Sequence, residues 1–174
     1  MTTELAIHPP GATHESFEWR ISIARLLTST PFSVFAGIER YLATLEGEMA
    51  LLREGTEPLV MNPNSPPARF SGEIPATGQV IHGPVLDLNV MYRADRWNAV
   101  MRRWMPTGET FAALANATFI CSRCASLPID LPNGRVELGL YDMLRVDEAC
   151  DIRIREPDAN GSDFYTIELR RTAS

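Results

Sequence analysis

Strict alternation of apolar and polar residues over positions 17–24 is the feature that most constrains the fold of this chain. The segment reads Phe-Glu-Trp-Arg-Ile-Ser-Ile-Ala, so a large apolar side chain occupies nearly every second position. A period of two is typical of a β-strand with one buried face, because successive side chains of a strand point to opposite sides of the sheet. Arg20 and Ser22 lie on the second face, opposite the large apolar residues. We interpret this second face as the lining of a polar pocket.

The rest of the chain also reads as short strands interrupted by Pro and Gly. Turn signals fall between the strands, for example at Glu46-Gly47 and His82-Gly83-Pro84. Short helical turns are expected only near 93–97 and 109–116. Many short strands at this spacing predict an all-β sandwich or barrel with few short helices. The candidate strands are Phe17–Arg25, Ile38–Glu46, Met49–Arg53, Gly78–His82, Val85–Arg93, Asn98–Arg103, Thr118–Ala125, Arg135–Leu140, Cys150–Arg155 and Asp163–Arg171.

The charge of the chain argues against a nucleic-acid partner. Its 174 residues carry a formal net charge of −6, whereas binding to a phosphate backbone needs a basic face. No apolar run approaches the ~20 residues that a membrane helix needs. The start, Met1-Thr2-Thr3-Glu4-Leu5, lacks the basic and apolar stretches of a signal peptide, and three cysteines do not make a disulfide framework. We therefore expect a cytoplasmic protein that binds neither nucleic acid nor membrane.

The histidines and cysteines do not predict a metal centre. His8, His14 and His82 are scattered, with the first two in a Pro/Gly-rich loop, and none forms a His-x-His pair. A metal site needs at least three converging donor atoms. Cys121 and Cys124 lie in strand-like sequence, where residues three apart face opposite sides, so we interpret them as core residues. We expect no metal and no cofactor.

Five short segments together resemble a known protein family. They are Phe-Glu-Trp-Arg-Ile-Ser-Ile-Ala (17–24), Pro-Phe-Ser (31–33), Gly-Ile-Glu-Arg (37–40), Leu-Glu-Gly (45–47) and Gly-Pro-Val-Leu-Asp-Leu-Asn-Val-Met (83–91). Their order and spacing resemble the HutD/Ves family over residues 2–105. The resemblance implies a double-cupin (bicupin) jelly-roll architecture and a cytoplasmic bacterial protein. For the HutD branch it implies a sensing or limiting role in histidine utilisation, with N-formylglutamate as a suggested ligand and no established catalytic activity.

The same resemblance sets the expected organisation of the chain. We expect an N-terminal cupin half over 1–105 and a C-terminal cupin half over 106–174, packed as one compact unit. Family members usually carry an upstream strand and a Trp-Lys-Asn-Gly-Gly-Gly stretch before the element that Thr2-Thr3-Glu4-Leu5 resembles. Either the start has been assigned too late, which we favour, or the chain is a divergent member with part of its site missing. A missing edge strand would expose unpaired backbone on its neighbour and favour a homodimer or aggregation.

Polar residues on three predicted strands form the candidate ligand site. We expect Arg20, Arg40 and Asn89 to converge inside the barrel and bind a small acidic metabolite, because a planar guanidinium donates two parallel hydrogen bonds to a carboxylate. The alternative is that these faces look outward and that Arg20 pairs with an acid such as Glu18 or Asp87, since alternation does not identify the inner face. The candidate ligand-binding residues are Arg20, Ser22, Arg40, Asp87 and Asn89.

Three functions are compatible with these residues. The first is a metal-free cupin that binds a small acidic metabolite and has a regulatory or accessory role in histidine or other amino-acid utilisation. The second is a metal-independent enzyme, an isomerase or hydrolase of a sugar or amino-acid derivative, in which Asp87 or His82 would be the general base. The third is an interaction module whose barrel is filled by side chains. We favour the first.

Overall fold

The computed structural model describes residues 1–105, 108, 110–155 and 163–172 of the chain. As the alternation predicts, the regular structure of these residues is all β; they contain no helix, and so none that is long and apolar enough to cross a membrane. The prediction of short helical turns near 93–97 and 109–116 is therefore wrong for the described residues, because residues 94–96 form a turn and residues 110–113 form a strand. Glu109 lies outside the described residues. The strands are β1 (Thr2–His8), β2 (Trp19–Leu26), β3 (Thr30–Pro31), β4 (Ile38–Arg53), β5 (Leu59–Met61), β6 (Ala68–Ser71), β7 (Ala76–Arg93), β8 (Trp97–Trp104), β9 (Thr110–Ala113), β10 (Ala117–Ser122), β11 (Leu127–Leu131), β12 (Gly134–Leu138), β13 (Met143–Val146), β14 (Cys150–Ile154) and β15 (Phe164–Arg171).

By its internal contacts the chain divides into a first unit, Met1–Trp97, and a second unit, Asn98–Ser174. In the first unit, seven strands form one sheet in the order β1-β2-β7-β4-β5, with β3 pairing with β7 and β6 pairing with β4. The strands of the second unit form two four-stranded sheets, β13-β10-β15-β8 and β12-β11-β14-β9, around an apolar core that includes Ile120 and Ile152. All five candidate ligand-binding residues lie in the first unit.

The alternating segment forms β2, but both faces of this strand are buried. Trp19 and Ile21 are buried on one face, and Arg20 and Ser22 are buried on the other. Burying an arginine and a serine is costly unless they find polar partners. The second face of β2 is therefore not an ordinary solvated face.

Two strands of the first unit are much longer than predicted. β4 and β7 have 16 and 18 residues and pair with each other across the positions where the sequence predicted turns, at Glu46-Gly47 and His82-Gly83-Pro84. The turn predictions are wrong because these glycines and the proline lie at bulges within the strands, where the register shifts between Thr44 and Met49. Gly47 has a φ of +76°, and a Cβ there would lie 2.6 Å from the carbonyl oxygen of His82.

Two apolar clusters flank the polar part of the first sheet. The larger cluster includes Leu26, Leu42 and Val85, and the smaller one includes Ile38 and Met91. Leu26 and Val85 of the larger cluster pair with each other at the Asp87 end of the stretch that carries the candidate ligand-binding residues, and Ile38 of the smaller cluster lies on β4 beyond Arg40 at the other end. These apolar contacts help to fix the strand register on both sides of that stretch, because well-packed apolar residues specify strand pairing.

Candidate functional site

The pairing of β2, β7 and β4 brings the candidate arginines to the same level of the sheet. β7 lies between the other two strands, and both Arg20 on β2 and Arg40 on β4 pair with Met91. Two residues further along β7, Asn89 pairs with Ser22. Residues two apart in a strand share a face, so these side chains project from one side of the sheet.

Asp87 continues the same face one level beyond Asn89. It pairs with Ala24 on β2 and with Thr44 on β4. The polar face therefore has an arginine level, an amide and hydroxyl level, and a carboxyl level, in that order along β7.

This face lines a cavity of about 570 Å³. All five candidate ligand-binding residues belong to its lining, so the structure brings together the complete set that the sequence singled out. The segment after β3 supplies further wall residues that sequence reasoning missed, among them Phe32, Ser33 and Phe35. His14, from the turn after β1, also reaches the cavity. A cavity of this size lies within the range typical of small-molecule sites.

Arg20 is held in place by a carboxylate from the neighbouring strand. Its Nε donates a 2.8 Å hydrogen bond to Oε2 of Glu4, while Arg20 itself is only 8% exposed. The partner is thus neither Glu18 nor Asp87, the acids considered from the sequence. Glu4 was missed because β1 was not predicted; it pairs with β2 through Glu4 and Ser22. This bond uses one edge of the guanidinium and leaves its terminal nitrogens for other partners.

Arg40 lies between aromatic rings and, among the described residues, has no carboxylate within ion-pair distance. Its guanidinium carbon is 5.1 Å from the ring centre of Phe32 and 5.7 Å from that of Phe70. Nη1 donates a 3.3 Å hydrogen bond to the carbonyl oxygen of Ser33, and Nε has no partner among the described residues. Burial lowers the pKa of Arg40 to about 10, against the opposing effect of Asp87, so the side chain remains a cation at neutral pH.

Asp87 is a buried carboxyl group without a hydrogen-bond partner. The residue is 0% exposed, and within the described part of the chain neither of its oxygens accepts a hydrogen bond or enters an ion pair. Burial raises the pKa of Asp87 to about 7, although the Arg40 charge acts in the opposite direction. Asn89 Oδ1, also in the cavity lining, is likewise buried without a partner among the described residues. Such orphaned polar atoms on one face of a cavity are characteristic of a site built for a bound molecule.

The other suggestive side chains do not join this cavity. His82, the second candidate general base, is exposed and is not part of the lining. His8 is not in a loop as expected: it ends β1 and stacks on Trp19 at 5.4 Å. Among the residues with described positions, no group of three or more His, Cys, Asp or Glu side chains could hold a metal ion.

The cysteines lie in the second unit, as core residues. Cys121 and Cys124 are buried and form no disulfide. Cys121 is the last residue but one of β10, and Cys124 Sγ donates to the carbonyl oxygen of Asp163 at 3.4 Å. Burial raises the pKa of Cys121 to about 12, so its thiol is neutral and unreactive at physiological pH.

The sequence matches a family model described as HutD over residues 1–160. A 21.2 kDa protein in the hutC 3′ region of Pseudomonas putida is 30% identical over 147 residues, which are 83% of this chain and 76% of that protein. Protein Ves of Citrobacter koseri is 34% identical over 123 residues. That match covers 70% of this chain and 63% of the Ves protein, so the chain spans less than two thirds of the length of this relative.

Solved structures of similar proteins share the fold. A conserved protein of unknown function from Pseudomonas aeruginosa has a TM-score of 0.86 at 25% identity, covering 98% of this chain and 91% of that one. HutD from Pseudomonas fluorescens, in a formate condition, has a TM-score of 0.82 at 28% identity, covering 99% and 89%. A cupin 2 conserved barrel domain protein from Leptotrichia buccalis has a TM-score of 0.62 at 8% identity, covering 99% and 88%. The all-β fold is therefore cupin-like.

Proposed function

The chain belongs to the HutD family, and from that premise we propose that its cavity binds a small acidic metabolite without converting it. The observation that carries this proposal is the placement of Arg20 and Arg40 on either side of Met91, facing one cavity. Two guanidinium groups at the same level of the sheet can donate hydrogen bonds to one carboxylate from opposite sides. Each can supply parallel N–H donors, which makes such hydrogen bonds short and strong.

The charges around the cavity support a carboxylate as the ligand group. Glu4 balances Arg20 at 2.8 Å, whereas Arg40 forms no ion pair with any described residue. A buried cation without a close counter-ion is costly, and an incoming carboxylate would remove that cost. We propose Arg40 as the main anchor and Arg20 as the second.

The next level of the face suits a hydrogen-bond donor on the same ligand. Asn89 Oδ1 is buried and has no partner in the described structure. An N–H group two or three bonds from the carboxylate would satisfy it, with Ser22 beside it. N-acyl amino acids combine a carboxylate with such an N–H group, and N-formylglutamate is the member of this class that we propose.

The names of similar proteins supply the proposed pathway. One relative is named from the hutC region and one similar structure is named HutD. We propose a regulatory or accessory role in histidine utilisation, in which binding of the metabolite reports on the pathway. We further propose that the first and second units correspond to the two halves of a double cupin, which the likeness to a cupin 2 barrel structure over 99% of the chain supports.

A thermal-shift titration tests the proposed binding. The full chain is titrated with N-formylglutamate, glutamate, histidine, urocanate and imidazolonepropionate. A ligand that binds only the native state adds about 2.7 kcal/mol of stability at ~100-fold excess over Kd. We therefore expect N-formylglutamate to raise Tm more than the other four compounds do. The rise should disappear in Arg40→Ala, shrink in Arg20→Ala and persist in Arg69→Ala, a matched control that is ion-paired with Glu39 away from the cavity lining. No shift with any of the five compounds would contradict the proposal.

The enzymatic alternative is separated by looking for products. A buried carboxyl group with a pKa near 7 is suited to proton transfer, and this favours Asp87 as the general base if any reaction occurs. Incubation of N-formylglutamate with the protein, followed by NMR detection of formate and glutamate, distinguishes the two functions. Unchanged ligand at full saturation supports the binding function. Turnover that is lost in Asp87→Asn would instead identify the protein as an enzyme with Asp87 as its general base.

A further inference from the structure

We propose that Asp87, in the lining of the cavity, controls anion binding at Arg40 through its charge, so that the site takes up one proton when a carboxylate binds there. This inference rests on the proposed function, because it concerns the same cavity. Asp87 then serves as a positioning residue that acts through the charge of Arg40, and it does not contact the carboxylate bound at the arginines.

Asp87 lines the cavity, but it lies two levels along β7 from the arginine level at Met91, where the carboxylate is proposed to bind. The residue is 0% exposed, while Arg20 and Arg40 retain 8% and 4% exposure. Both carboxyl oxygens of Asp87 lack hydrogen bonds within the described structure. Its pairing partners on the two adjacent strands, Ala24 and Thr44, bring no charge to it.

The charged groups around Asp87 leave Arg40 as its main electrostatic partner. On β1 and β2, Glu4 pairs with Arg20 at 2.8 Å. Arg25 lines the cavity and lies 3.5 Å from Glu46 of β4, and these two charges offset each other. The remaining groups are Arg40 on β4, the amino group of Met1 at the start of β1, and His14 in the turn that follows β1.

The charge of Asp87 decides how strongly Arg40 attracts an anion. When Asp87 is ionised, the pair is electrically balanced, and an incoming carboxylate meets a second negative charge in a poorly solvated region. When Asp87 is neutral, the Arg40 charge is uncompensated and attracts the ligand fully. Reciprocally, a carboxylate bound at Arg40 favours the protonated form of Asp87, because binding and protonation are thermodynamically linked.

The sign and range of the effect follow from the titration of Asp87. Its pKa of about 7 means that the neutral form predominates below neutrality and the ionised form above it. If only the neutral form binds, the affinity is constant in mild acid and falls up to tenfold per pH unit above about pH 7, or about 30-fold between pH 6 and pH 8.5. A ligand carboxylate ordinarily titrates near pH 4 and stays ionised throughout this range.

Calorimetric titration of the full chain with N-formylglutamate from about pH 6 to about pH 9 tests this inference. Measurements in two buffers of different ionisation enthalpy give the number of protons taken up. We expect uptake to approach one proton per ligand above about pH 8, where free Asp87 is ionised. We expect Asp87→Asn to bind with no pH dependence over this range and without proton uptake.

Two controls keep the test decisive. A histidine side chain ordinarily changes charge in the same pH range, so His14→Asn is measured as well and should retain the pH dependence. In the wild-type protein, ¹³C NMR of the Asp87 carboxyl group, free and saturated, should show a higher pKa in the complex. This measurement does not depend on the folding of any variant.

The outcomes separate this inference from the proposed function. Binding that is independent of pH, or a pH dependence that survives in Asp87→Asn and vanishes in His14→Asn, would overturn the role of Asp87 while leaving the ligand site intact. No binding of N-formylglutamate at any pH would contradict the proposed function itself, and this inference with it.

Discussion

Two buried side chains on adjacent strands, Arg40 and Asp87, carry opposite charges without forming an ion pair. In most proteins such groups are brought together, because an unpaired buried charge is costly. Here the arginine packs between Phe32 and Phe70, while the acid lies two levels further along β7. The consequence is a cation available to a ligand and a carboxyl group that gains a proton easily.

The pH dependence of stability should reveal Asp87. Its pKa is raised in the folded state relative to the ordinary carboxyl value, so its contribution to stability is fully present in acid and is lost as the pH rises towards about 7. Asp87→Asn removes this loss. We expect the free energy of unfolding of the variant, relative to wild type, to increase by roughly 2 to 3 kcal/mol between about pH 5 and about pH 8. Urea denaturation at both pH values measures it, and a constant difference would contradict the assignment.

Replacing Arg40 should cost more affinity than replacing an arginine elsewhere in the first unit. Hydrogen bonds to charged groups contribute about 1.5–3 kcal/mol, so Arg40→Gln should weaken carboxylate binding by roughly 10-fold to 150-fold. Arg69→Gln, at an exposed ion pair with Glu39, should leave Kd unchanged. Calorimetric titration with N-formylglutamate below about pH 7 gives both values. Equal Kd values for the two variants would exclude Arg40 as the anchor.

At the scale of the strand, alternation identified part of the first sheet and missed its irregular parts. β2 and the second half of β7 were predictable because large apolar residues recur at every second position. β1 was not predicted, because its apolar residues Leu5, Ala6 and Ile7 are consecutive and give no alternation; a register shift between Glu4 and Ala6 interrupts its pairing with β2. Because β1 was not predicted, the contact of Glu4 with Arg20 was not predicted either.

The length of β4 and β7 could not be predicted for a related reason. Gly47 lies inside a strand at a bulge, but a glycine beside a glutamate reads in the sequence as a turn. The five candidate ligand-binding residues could be picked from their types and spacing. Their common cavity, the burial of Asp87 and the aromatic packing of Arg40 depend on contacts between distant segments, which local patterns do not contain.

Gly47 should tolerate no side chain, in contrast to Gly55. Both glycines have a φ of +76°, so alanine is strained at either position. At Gly47 a Cβ would also lie 2.6 Å and 2.7 Å from the carbonyl oxygens of His82 and Pro84, whereas at Gly55 nothing lies within 4 Å. We expect Gly55→Ala to cost about 1 to 2 kcal/mol of stability and Gly47→Ala to cost several kcal/mol more. Chemical denaturation compares them, and equal losses would show that backbone crowding at Gly47 is unimportant.

At the scale of the whole chain, the candidate ligand-binding residues belong to the first unit, and the second unit carries its own buried charge cluster. Asp163, with a side chain only 3% exposed, accepts hydrogen bonds from Arg103 and, at 2.9 Å, from Arg123. Removing the charge of such a buried carboxylate destabilises a protein when its charged partners remain in place. The stability of the second unit and the chemistry of the cavity are thus assigned to different residues.

Substitution in that cluster should separate stability from binding. Asp163→Asn removes the buried carboxylate charge that accepts hydrogen bonds from Arg103 and Arg123, and should cost about 3–5 kcal/mol of stability. The Kd of the folded variant for N-formylglutamate should equal that of wild type, because the candidate ligand-binding residues are unchanged. Denaturation and calorimetry well below Tm give the two numbers. A Kd altered in proportion to the stability loss would place part of the binding determinants in the second unit.

The most direct measurement is an NMR titration that observes the side chains of the site themselves. In the ¹⁵N-labelled full chain, the Nε–Hε signals of Arg20 and Arg40 and the side-chain amide of Asn89 are followed as N-formylglutamate is added. We predict that these signals shift together and saturate at one ligand per chain, while Nε–Hε of Arg69 stays in place as an internal reference. Saturable shifts that avoid all three side chains, or none at millimolar ligand, would contradict the central claim that this cavity is a carboxylate-binding site.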